Sequence, residues 1–145
     1  MKKVIRTLTE LEEEAARFVG SLAPRERDAT LVTLSGELGA GKTAFTKAVA
    51  RSLGVEDIVN SPTFVLEKIY VLPNGQPFKH LVHIDAYRLE KGAELAPLGF
   101  DELMQDAGNL ILLEWPEKVA GALPAPAARL VFTVQDDDSR ILSYG

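Results

Sequence analysis

The segment GELGAGKT, residues 36–43, places glycines at positions 36 and 41 with four residues between them, then Lys42 and Thr43. A phosphate chain accounts for each of these positions. Glycine lets backbone N–H groups turn inward without a Cβ in the way. Those groups, with the N-terminus of a following helix, form a cradle for an anion. Lys42 has the reach and charge for terminal phosphates, and the Thr43 hydroxyl can bind Mg²⁺. The predicted phosphate loop is therefore Gly36, Glu37, Leu38, Gly39, Ala40, Gly41, Lys42 and Thr43, with Ala44 next in the helix behind it.

A loop of this kind needs an acidic partner for the metal, usually at the end of an apolar strand. Two segments qualify: LVHID, ending in Asp85, and LILLE, ending in Glu114. The run before Glu114 is the more uniformly apolar, so Glu114 is the first choice for metal. The other carboxylate then orients the attacking water or senses the γ-phosphate. His83 lies two residues before Asp85 and shares its strand face. It reads first as a structural histidine and second as an orienting group. In NSPTF, Thr63 follows Pro62 and reads equally as a nucleotide-sensing loop threonine or as part of a Ser-Pro turn. Trp115 reads equally as a neighbour of the site or as a core tryptophan. Nothing in the sequence marks Arg88 as an arginine finger.

Local patterns supply the elements that must position these groups. ATLVTLSG reads as a buried strand entering the loop. Phe45, Ala48, Val49 and Leu53 define one face of a helix leaving it, with Gly54 as terminator. Upstream, KVIRTLT reads as a strand. Thr9 with Glu12 reads as a capping box opening a helix with Leu11, Ala15, Phe18, Val19 and Leu22 on its apolar face. FVLEKIYVL and FKHLVHIDAYRL read as strands joined by an Asn-Gly turn. Residues 91–108 suggest one or two short helices broken near Pro97 and Gly99. NLILLEW reads as a strand, and residues 128–145 as a closing hairpin around three aspartates. Strands interleaved with helices around the loop predict a three-layer α/β fold in one domain, residues 1–145, with a mainly parallel sheet and some antiparallel pairing.

Composition narrows the classes. The 145 residues are 46% hydrophobic, enough for a core at this length. There is no cysteine, so disulfides and thiolate metal sites are excluded. The net charge of -5, with charges interspersed, argues against a large nucleic-acid surface of the chain's own. No apolar run approaches the length of a membrane helix and the N-terminus lacks a signal-like apolar stretch, so a soluble cytoplasmic protein is expected.

GELGAGKT, SPTF, HIDAYRL and LLEWPE occur in this order and at close spacing. Together they resemble the bacterial TsaE (YjeE) family over essentially the whole chain. That resemblance implies a small P-loop ATPase needed for N6-threonylcarbamoyladenosine in tRNA. It implies ATP and Mg²⁺ as ligands, with the metal on Thr43 and Glu114. Asp85 would support catalysis close to the metal, and Ser61 and Thr63 would form a switch-like loop. Trp115 would lie beside the active site, and Thr9 and Arg140 would lie near the base. The implied partner is a complex of the threonylcarbamoyl transferase and its paralogous subunit, through which contact with tRNA is indirect. Three other readings compete. A small-molecule kinase normally carries an arginine-bearing lid, and the late region is short and arginine-poor. A GTPase would carry Asn-Lys-x-Asp, which is absent. A binding module without turnover would have no use for Asp85 and Glu114 beside Lys42 and Thr43.

Overall fold

The computed structural model describes residues 1–56 and 67–145. Among them, seven strands form one sheet in the order β1-β7-β6-β2-β5-β4-β3. The strands are β1 (Lys2–Ile5), β2 (Thr30–Gly36), β3 (Glu67–Val71), β4 (His80–Asp85), β5 (Asn109–Glu114), β6 (Ala128–Val134) and β7 (Arg140–Tyr144). The four central strands β6, β2, β5 and β4 run parallel. Antiparallel pairing is confined to the edges: β3 against β4, β7 against β6, and β1 against β7. The helices are α1 (Leu8–Gly20), α2 (Lys42–Ser52) and α3 (Phe100–Met104).

Side-chain alternation divides the core. On β5, Leu110 and Leu112 face a cluster built with Leu11, Phe18, Phe45 and Val49 of α1 and α2. Ile111 and Leu113 face the opposite cluster, with Leu95, Phe100 and Val119. Both faces are therefore covered, and parallel strands buried on both sides read as nearly continuous apolar runs. β5 is buried along its whole length. Each large side chain fully buried this way contributes about 1.5–3 kcal/mol. This is the three-layer α/β arrangement expected from the sequence.

The first helix begins earlier than its expected capping box. Thr7, not Thr9, is the N-cap: its side chain accepts from the Glu10 N–H, and the Glu10 carboxylate accepts from the Arg6 N–H, each at 3.1 Å. Thr9 lies inside the helix and is exposed. The break foreseen near Pro97 and Gly99 is present. A 3-10 helix spans Gly92–Leu98, and Gly99, at φ 75°, links it to α3. The Asn-Gly turn joins β3 to β4 in an antiparallel hairpin, and β6 and β7 close the chain in another.

Candidate functional site

Parallel register brings the site together. β2, β4 and β5 end at Gly36, Asp85 and Glu114. Asp85 is paired with Glu114, and Glu114 with Leu34. All three strands therefore finish along one edge, where ligands of open α/β sheets bind. The same alternation that turns Leu110 and Leu112 toward α2 turns Glu114 that way. It does the same for His83 and Asp85, which follow Leu81 on β4.

The loop from Gly36 to Gly41 joins β2 to α2. Gly36, Gly39 and Gly41 have φ of 147°, 78° and 110°, all in the region that favours glycine. They differ in their surroundings. A Cβ on Gly36 would lie 2.6 Å from the Phe132 carbonyl oxygen, whereas one on Gly39 would meet nothing within 4 Å. Gly36 thus lets the loop leave the sheet against β6, and Gly39 faces open space. Because α2 starts at Lys42, the N–H groups of its first turn lack acceptors within the helix and border this space.

Lys42 is buried. Its ammonium donates to the Gly36 carbonyl and lies 3.4 Å from the centroid of the Trp115 ring. Trp115 holds φ 63°, uncommon for a bulky residue, and its N–H donates to the Leu34 carbonyl at 3.1 Å. The Thr43 hydroxyl lies 3.3 and 3.4 Å from the two Glu114 carboxylate oxygens. His83 Nε2 lies 2.5 Å from Glu114 Oε2, and both side chains are buried. Asp85 is half-buried and accepts from the Tyr87 N–H at 3.0 Å.

Burial governs the two charged groups at the rim. It pushes the Lys42 ammonium below the ordinary lysine value, against the opposing pull of Glu114, Glu117 and Asp85. It also pushes the Asp85 carboxyl upward. The nearby Glu114 adds to that rise, while the Tyr87 N–H, His83 and Lys42 oppose it. A desolvated ammonium and carboxylates crowded at one strand edge are a common signature of a functional site. Among the described residues, no cluster of three or more His, Asp and Glu side chains forms a metal site by itself.

A cleft of about 270 Å³ lies beside the loop. Arg6, Thr7, Leu8, Gly41, Asp138 and Arg140 are among its lining residues. Arg140 donates to the carbonyls of Asp138 and Gly39, tying the last hairpin to the loop. Of the two residues expected near a base, Arg140 lines this cleft and Thr9 does not; Thr7 is among the lining residues. Arg6, Thr7 and Asp138 were not singled out from the sequence. The only local signal for them is the threonine-to-glutamate spacing of Thr7 and Glu10. Ser61 and Thr63 lie outside the described residues.

Comparison with known proteins gives the family. A family model described as "Threonylcarbamoyl adenosine biosynthesis protein TsaE" matches residues 8–142. A Bacillus subtilis relative named tRNA threonylcarbamoyladenosine biosynthesis protein TsaE is 37% identical over 145 residues, covering 98% of this chain and 85% of its own. One of the same name from Streptomyces coelicolor is 43% identical over 111 residues, covering 75% and 72%. The crystal structure of Bacillus subtilis YdiB superposes with a TM-score of 0.76 at 30% identity, covering 99% of this chain and 83% of that one. The chain has the α/β P-loop fold and belongs to the TsaE family, which takes part in the biosynthesis of threonylcarbamoyladenosine in tRNA.

Proposed function

We propose that the protein is a single-domain cytoplasmic ATPase whose turnover serves tRNA threonylcarbamoyladenosine formation. The observation that carries this reading is the convergence of Lys42, Thr43, Asp85 and Glu114 where α2 meets the ends of β4 and β5. The open space beside Gly39 and the first turn of α2 suit the phosphates of ATP. Lys42 exchanges the Gly36 carbonyl and the Trp115 ring for the terminal phosphates. The adjoining cleft lined by Thr7 and Arg140 takes the nucleoside end.

Thr43 and Glu114 offer a hydroxyl and a carboxylate, hard oxygen donors too few to cage a cation alone. That donor set fits Mg²⁺, which usually keeps phosphate and water among its ligands. Thr43 and Glu114 would hold the ion, which when bound neutralises charge developing on the phosphate oxygens. Asp85, beside Glu114 and half-buried, orients the attacking water. Lys42 stabilises charge on the transferring phosphoryl group. Turnover supports the complex of the threonylcarbamoyl transferase and its paralogous subunit, and contact with tRNA runs through that complex. The chain's acidity, net -5, suits such an indirect link.

Calorimetric titration with ATP and Mg²⁺ tests the ligand assignment. The parent should bind ATP in preference to GTP, and Lys42→Met should lose binding by about tenfold or more, the loss of one charged hydrogen bond. Unchanged affinity in that variant, or a preference for GTP, would overturn it.

A further inference from the structure

We propose that His83 is a positioning residue that fixes the Glu114 carboxylate for the metal. This rests on the reading of Glu114 as a Mg²⁺ ligand. His83 is paired across the sheet with Leu112, not with Glu114. Its ring therefore reaches diagonally along β5 to the end of that strand, a distance long side chains on one sheet face can bridge. The contact at Oε2, 2.5 Å, is buried on both sides, with exposures of 0% and 2%. The other His83 nitrogen, Nδ1, is buried and has no hydrogen-bond partner among the described residues.

These two facts select the tautomer. A carboxylate oxygen accepts only, so a hydrogen bond to it requires the proton on Nε2. The alternative, with the proton on Nδ1, strands a buried N–H without an acceptor and faces a bare nitrogen toward a carboxylate oxygen. An orphaned donor of that kind carries the full desolvation cost. With Nε2–H on Oε2, one oxygen of Glu114 is engaged from behind and its plane is fixed. The Thr43 hydroxyl lies 3.3 Å from Oε1, which His83 does not touch, and 3.4 Å from Oε2. A histidine that serves only the core would not need its single polar contact aimed at the one buried carboxylate next to Thr43. Groups that orient a ligating carboxylate in this way typically change metal affinity by about 10–100-fold when removed.

Two measurements test the role. The chain has two histidines, His80 and His83, so ¹⁵N-histidine NMR of the parent assigns the ring without ambiguity once compared with His80→Asn. The expected spectrum shows a protonated Nε2 for His83; a bare Nε2 overturns the proposal. The second measurement is the Mg²⁺ concentration that half-saturates binding of a fluorescent ADP analogue. His83→Leu should raise it by about tenfold or more, and His83→Gln, whose amide can donate to the same oxygen, should restore most of the difference. A folded His83→Leu with the parent's Mg²⁺ dependence, or a His83→Gln no better than Leu, overturns the role. If the Leu variant fails to fold, the NMR result and the Gln variant against the parent still decide. Glu114→Gln separates the layers. If it weakens Mg²⁺ dependence and His83→Leu does not, the positioning role alone is wrong. If neither does, the metal assignment beneath it is wrong too.

Discussion

Lys42 is held by two contacts within the protein, which the proposed function would exchange for phosphate. Its ammonium is out of water, bonded to one backbone carbonyl and resting on an indole face. Such an arrangement costs the free protein something. The folded-state pKa of Lys42 is depressed by burial, so its contribution to stability is present above the ordinary value of 10.5 and lost as pH falls through the folded value. Lys42→Met lacks this loss. Relative to the parent, the variant should gain thermal stability as pH falls from above 10.5 toward neutrality. Thermal melts across that range check the sign; a parent that gains on the variant instead would contradict it. Trp115 would report the proposed exchange. It is the single tryptophan of the chain, so its emission is unmixed. Adding ATP should change that emission in the parent and leave it unchanged in Lys42→Met. Equal responses would mean the lysine does not leave the ring. The left-handed backbone of Trp115 stores about 1–3 kcal/mol of strain, and no local pattern in EWPE announces it, because it is imposed by the N–H bond to Leu34 on the neighbouring strand.

At the scale of elements, the same fold is held by contacts far apart in sequence. Glu14 on α1 is buried and accepts from the Arg17 guanidinium and the Tyr144 hydroxyl of β7. The Arg17 hydrogen bonds hold its carboxyl below the usual glutamate value. A depressed carboxyl contributes stability above its ordinary value, 4.5, which is lost as pH falls through the folded value. Glu14→Ala should therefore destabilise the protein near neutral pH; the solvent-exposed Arg17 regains water, and loss of the hydrogen bond from the partly buried Tyr144 hydroxyl costs about 1 kcal/mol. Denaturant titrations should show that cost shrinking in acid; a constant difference would contradict it. Gly36→Ala and Gly39→Ala should each cost about 1–3 kcal/mol through backbone strain, and Gly36→Ala should cost more, because its Cβ alone approaches Phe132 closely. Equal stability of the two variants would refute the distinction. What the sequence leaves ambiguous here is local. Threonine-to-glutamate spacing occurs at Thr7 and Glu10 as well as at Thr9 and Glu12. The earlier pair wins because β1 stops at Ile5, leaving Thr7 extended at φ -132° and free to cap.

For the whole molecule, apolar runs and the glycine spacing made the layers, the loop and both carboxylates legible, because each depends on residues close in sequence. The pairing of His83 with Glu114 and the cleft of Arg6, Thr7 and Asp138 were not, because cross-strand register and the return of the last hairpin create them. The central claim joins this site to a tRNA-modifying assembly, and ATP hydrolysis by the purified protein tests it most directly, alone and with the transferase complex and tRNA. The account predicts slow hydrolysis alone, strong stimulation by the complex, and loss of both in Lys42→Met. Fast hydrolysis indifferent to the complex, or stimulation that survives Lys42→Met, would contradict it.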